Sequence, residues 1–130
     1  MQASTLLAVN GTLMRGLELN GNMLRAGGEF VREDVTDEHY RLWSINDRHP
    51  GMTRVADGGR GVALEIWRLP MASFADLLLS EPAGLCIGKV KLQDGGEVLG
   101  VLAESWLLAG QREITDCGGW RNYTRQIPQA

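Results

Sequence analysis

The chain has 130 residues and 14.3 kDa, with 44% apolar and 22% charged side chains. That suits one compact domain over residues 1–130 and excludes both a disordered tail and a disulfide miniprotein. Thirteen basic against sixteen acidic side chains give a net charge of −3, so no electropositive field attracts nucleic acid. No apolar run approaches the ~20 residues of a bilayer span, and no basic leader precedes a hydrophobic stretch, so a cytoplasmic protein with no membrane partner is expected.

Seventeen glycines, about twice the usual ~7%, point to many tight turns and close backbone approaches. In chain order, Ser4 to Val9 reads as a strand stopped by Asn10-Gly11, and Leu17 to Ala26 as a helix ended by Gly27-Gly28. Glu29 to Glu33 and Tyr40 to Ile45 are strands on either side of a polar stretch, and His49-Pro50-Gly51 is a turn. Thr53 to Ala56 and Arg60 to Arg68 flank Asp57-Gly58-Gly59 and read as a hairpin. Pro70 opens a helix with an apolar stripe of Met71, Phe74, Leu77 and Leu78, which ends before Glu81-Pro82 because proline disfavours helical geometry at the residue before it. Gly88 to Leu92 and Glu97 to Ala103 form a second hairpin, and Gly118 to Ile127 a final helix carrying Trp120, Tyr123 and Ile127. The order β-α-β-β-β-β-α-β-β-α predicts an α+β fold, with a mainly antiparallel sheet curled into a small mixed β-barrel and helices on its flanks.

Among segments that carry chemistry, Asn10-Gly11-Thr12-Leu13-Met14-Arg15-Gly16 comes first. Two glycines bracket a polar loop directly after a strand, an arrangement that can gather backbone N–H groups around a carboxylate or carbonyl oxygen; its other reading is an ordinary strand-ending turn. It lacks the Lys-Ser/Thr of a phosphate loop. Glu81, where an apolar helix stops, is either a solvated glutamate or a carboxylate whose pKa rises at the edge of an apolar pocket into the range useful for proton transfer. Glu65 sits mid-strand and is expected to face solvent rather than a barrel interior. Ser44, Asp47 and His49 are too close in sequence to supply a catalytic triad. His39 and His49 read as satisfied or exposed histidines, and Cys86 and Cys117 as small reduced hydrophobes, so no metal site is expected. Trp120, Arg121 and Tyr123 either close a pocket or pack as a helix that caps the core.

Four blocks in order, 9–16, 65–70, 85–90 and 114–123, resemble the C-terminal domain of allophanate hydrolases in the γ-glutamylcyclotransferase-like superfamily, a likeness running from about Leu7 to Tyr123. The resemblance implies a pocket lined by the first strand-to-helix loop, from Asn10 to Arg15; Glu65, Trp120, Arg121 and Tyr123 are candidate closing groups on the reading of the residues themselves. Cyclotransferases of the superfamily carry a Tyr-Gly-Ser or Tyr-Gly-Thr loop and a glutamate near a helix end; Gly11, Thr12 and Glu81 match, and Asn10 replaces the tyrosine. Allophanate hydrolase domains tend to carry a histidine, linked to decarboxylation, where this chain has Leu13. Two functions follow from the resemblance. One is a cyclotransferase-like enzyme with Glu81 as general acid/base and no metal or organic cofactor. The other is a domain that binds a small carboxylated amide or works beside a separate amidase, no amidase region preceding it here.

Overall fold

The computed structural model describes residues 3–127; the outermost positions of the expected 1–130 domain lie outside them. Strands β1 (Ser4–Val9), β2 (Glu29–Val35), β5 (Ala63–Pro70), β6 (Leu85–Lys91) and β7 (Glu97–Ala103) form a five-stranded sheet in the order β2-β5-β1-β7-β6. Strands β3 (Tyr40–Ile45), β4 (His49–Arg54) and the two-residue β8 (Arg112–Glu113) form a second sheet in the order β4-β3-β8. Helices α1 (Asn20–Arg25), α2 (Met71–Leu79), α3 (Ser105–Leu108) and α4 (Trp120–Gln126) complete the fold, with a 3₁₀ turn at Thr115–Cys117. None of these helices is long and apolar enough to cross a membrane.

The mixed α+β class is as expected, but the sheets are open and no closed barrel forms. The five-stranded sheet curls until the ends of β2 and β6 meet at the single bridge Thr36–Leu92, flanked by Asp37 N–H to Lys91 O at 3.0 Å and Gln93 N–H to Val35 O at 3.0 Å. A bulge between Phe30 and Arg32 turns the rest of β2 away, so the ladder never closes.

Strand β5 is an interior strand of the sheet. It pairs antiparallel with β1 (Leu7 opposite Trp67, Val9 opposite Glu65) and with β2 on its other edge. Both faces are covered, so Leu64, Glu65, Ile66 and Trp67 are consecutively buried instead of alternating. This also dissolves the hairpin expected from Thr53 to Arg68. Both edges of β5 are occupied, β4 pairs with β3 instead, and Asp57-Gly58-Gly59 is a crossing between sheets whose carbonyls are held by the Arg41 guanidinium. The turn expected at His49-Pro50-Gly51 lies three residues earlier, at Asn46 and Asp47, which take φ of 53° and 58°. That pair of left-handed residues suits a tight hairpin turn, and Pro50 sits within β4, an edge strand where its missing N–H does no harm.

The β6–β7 hairpin forms as expected, with Gly88 opposite Gly100. A side chain at Gly100 would meet Val90 Cγ2 of β6 at 2.5 Å and Ala8 Cβ of β1 at 3.2 Å, so glycine leaves room for both neighbouring strands. Helix α1 begins at Asn20 rather than Leu17 and buries Met23, leaving Leu24 exposed. In α2 the stripe buries Leu77 most deeply, while Met71 at its first turn is exposed. Helix α4 packs Trp120 and Tyr123 into the core with their rings 5.6 Å apart.

Candidate functional site

The loop after β1 stands between two cavities. Gly11, Thr12 and Leu13 line a small one together with Asn10, His49, Pro50, Glu81, Leu85 and Val101. The glycine loop and Glu81, 70 residues apart in sequence, thus share a cavity. Its volume is about 20 Å³, room for one water molecule.

Local structure explains how each wall is held. Met14 N–H bonds to Gly11 O at 3.0 Å and Leu19 N–H to Thr12 O at 2.9 Å, which folds the loop back on itself. The N–H groups of Gly11, Thr12 and Leu13 donate to no acceptor among the described residues. Gly11 abuts Pro50: a Cβ there would lie 2.6 Å from Pro50 Cδ. The Asn10 side chain is 4% exposed and donates to Val101 O at 3.0 Å, so it ties the loop to β7. Leu13 is packed in the core.

Glu81 follows α2, whose last turn closes with Glu81 N–H to Leu78 O at 3.1 Å. Its half-buried carboxylate accepts no hydrogen bond among the described residues. Besides the small cavity it borders an apolar one lined by Leu7, Leu13, Phe74, Leu77, Leu78, Ile87 and Val101. Desolvation by that apolar wall pushes its pKa up to about 7. His49, set aside in the sequence reading, faces the same cavity from β4. Its Nδ1 lies 3.0 Å from Pro50 O; a carbonyl only accepts, so Nδ1 is the donor of that pair. Its pairing with Ile45 at the start of β4 fixes this residue's place, and the misplaced turn hid it.

The second cavity, about 410 Å³, lies on the other side of the loop. Met14, Glu33, Asp34, Val35, Ala63, Leu64, Glu65, Gln93, Gly119, Trp120, Arg121, Asn122 and Arg125 line it. Its walls come mainly from the end of β2, the start of β5 and α4. Glu65 is 2% exposed, against the expectation that it faces solvent, because four donors replace its water. Oε1 accepts from Arg15 N–H at 2.9 Å and Trp67 Nε1 at 3.1 Å; Oε2 accepts from Arg15 Nε at 3.1 Å and Arg121 Nη2 at 3.0 Å. Burial opposes ionisation, but these donors outweigh it and hold the carboxyl below its ordinary value. Every lone-pair site is then filled, so Glu65 positions Arg15 and Arg121 and is not free to act as a base. Trp120 and Arg121 belong to this cleft and not to the Glu81 cavity, and Tyr123 belongs to neither. Its hydroxyl donates to Asp47 at 2.6 Å, and Ser44 donates to the same carboxylate oxygen at 2.6 Å, which keeps that carboxyl low in pKa. The residues expected to form one pocket are therefore divided between two.

Comparisons with known proteins agree with this architecture. The family model described as the allophanate hydrolase C-terminal domain matches residues 5–125. A urea amidolyase of Lachancea kluyveri is 28% identical over 133 residues, covering 97% of this chain. The chain spans only 7% of the length of that curated relative. Among solved structures, a uropathogenic E. coli-specific protein is 73% identical with a TM-score of 0.94, over 97% of this chain and 99% of that one. The allophanate hydrolase of Kluyveromyces lactis is 28% identical with a TM-score of 0.91, over 97% of this chain and 22% of that one. An AIG2-like protein from Mus musculus, 20% identical with a TM-score of 0.61 over 82% of this chain and 80% of that one, shares the fold.

Proposed function

Since this chain belongs to the allophanate hydrolase C-terminal domain family, we propose that it binds the amide or carboxylate end of a small molecule between Gly11–Leu13 and Glu81, with Glu81 as general acid and base. The supporting observation is the meeting of unlike groups in one cavity. Three N–H groups without a protein acceptor belong to one wall, and an unpaired carboxylate with a pKa of about 7 belongs to another. The first suits an oxygen that gains negative charge; the second suits a group that takes up and returns a proton near neutral pH.

A cavity for one water accepts one oxygen-bearing end of a ligand, and the remainder enters by displacing the side chains of His49 and Leu85. In the cyclotransferase-type reaction, Glu81 takes a proton from the α-amine of a γ-glutamyl amide, and that nitrogen attacks the γ-carbonyl carbon. The oxyanion rests on the loop N–H groups. The bond to the leaving amine then breaks as Glu81 returns the proton, giving 5-oxoproline and a free amine. Leu13 brings no proton-transfer group to the loop, so Glu81 and His49 are the ionisable side chains of the cavity. We place the domain beside an amidase of the urea or allophanate type, because relatives of the family carry it within much longer proteins.

The test is a panel of γ-glutamyl amides, ureas and carboxylated amides read by thermal shift and product formation, on the native chain and on Glu81→Gln. Turnover that collapses in the variant while the fold persists supports acid/base catalysis. Ligand stabilisation without turnover assigns the domain the binding role. No response to any compound, or responses untouched by the substitution, overturns the assignment of the site.

A further inference from the structure

The cleft between β2 and α4 is not used by the reading above, and its charges do not balance. Glu33 is paired with Arg15 at 2.8 Å, Asp34 with Arg32 at 3.0 Å, and Glu65 with both Arg15 and Arg121. Every carboxylate of the cleft is thus met by a guanidinium of its own. Arg125, also on the lining, has no hydrogen bond or ion pair among the described residues. Arg15 and Arg32, which reach in from outside the lining, and Arg121 satisfy the three carboxylates, which leaves the Arg125 side chain as the unpaired charge on the cleft wall.

Arg121 adds direction to that charge. Its Nη2 spends both hydrogens, one on Glu65 and one on Arg15 O at 2.6 Å. Nη1 and Nε keep their three, with no protein acceptor among the described residues. The side chain is therefore fixed in place by a buried carboxylate while part of its donor set stays open, an arrangement that lowers the ordering cost of holding an anion. The rest of the lining is mixed: Val35 and Ala63, neighbours across the β2–β5 pair, join Met14, Leu64 and Trp120 as its apolar part, beside Gln93 and Asn122. At about 410 Å³ the space suits a small organic molecule and is larger than a simple ion needs.

We propose that this cleft binds a small carboxylate with an apolar body, the carboxylate paired with Arg125 and the open edge of Arg121, and the body lying against the apolar part of the lining, Val35, Ala63 and Trp120 among it. The inference stands apart from the Glu81 reading, because the two cavities share only the loop between them.

Calorimetric titration of the full chain with phenylacetate, phenylacetamide and acetate tests it. Phenylacetate is expected to bind saturably, with affinity on the order of tenfold above that of its uncharged amide and of acetate, which lacks the body. Arg125→Gln, an exposed position, should weaken phenylacetate on the order of tenfold at unchanged Tm, whereas Glu81→Gln should leave it unaltered. Equal affinity for phenylacetate and phenylacetamide, equal affinity for acetate, no saturable binding, or insensitivity to Arg125→Gln each overturns the proposal. Loss of binding in Glu81→Gln does so as well, since it moves the ligand to the other cavity.

Discussion

Replacing Glu81 by Gln removes a charge and keeps the shape, so it isolates the cost of an ionised carboxylate in the half-apolar cavity. The group rises from an ordinary 4.5 to about 7 on folding. Each pKa unit is worth about 1.4 kcal/mol, so the ionised form costs the folded state at most about 3 kcal/mol, and solvent reaching a half-buried group reduces this to roughly 2. Because the folded-state pKa is the higher one, the folded chain holds the proton more tightly. The stabilisation is complete below about 4.5 and is lost as pH rises through about 7. Urea unfolding of both proteins at pH 5 and pH 8.5 measures it. Groups with shifts of their own, such as Glu65 and Asp47, contribute equally to both proteins and cancel. The variant should gain roughly 2 kcal/mol on the native chain between the two pH values. Parallel pH profiles would refute the desolvation of Glu81 and, with it, the reason for giving this residue a proton-transfer role.

Glu65→Gln should lower stability by about 3 kcal/mol in urea unfolding at pH 7, because it leaves Arg15 and Arg121 without their shared carboxylate and sets an amide against donors. The cost should shrink as pH falls through the carboxylate range, since a depressed pKa gives stability that acid removes. Gly11→Ala drives a methyl against Pro50 and should cost roughly 1–3 kcal/mol; it should also abolish any thermal shift produced by ligands of the Glu81 cavity. Asn10→Ala should cost about 1–3 kcal/mol by leaving Val101 O without its donor, measurable as a lower urea midpoint.

What the sequence made legible was local. Alternation marked β6 and β7, the glycine pair marked the end of α1, and Glu81-Pro82 marked the end of α2, because turn chemistry and side-chain period act over a few residues. The family resemblance brought Gly11 and Glu81 together across 70 positions, which no periodicity could do. What stayed hidden depended on partners far away in the chain. Glu65 looks like a solvent-facing residue until Arg15, Trp67 and Arg121 converge on it from three elements. Arg60 to Arg68 looks like one arm of a hairpin until β1 and β2 are seen to take both edges of β5. His49 belonged to a turn by the rule for proline and glycine, yet Asn46 and Asp47 turn the chain first, and that shift of three residues carries the imidazole into the cavity with Glu81. The near-closure at Thr36–Leu92 likewise depends on the curl of a whole sheet and could not be read from either segment.

Proton transfer at this site requires a carboxylate held without a partner beside free loop N–H groups, and the most direct measurement is the titration of that one group. Carbon-13 NMR of the Glu81 side-chain carboxyl, assigned by its disappearance in Glu81→Gln, should give a midpoint near pH 7. A midpoint near 4.5, the value of an ordinary solvated glutamate, would contradict it.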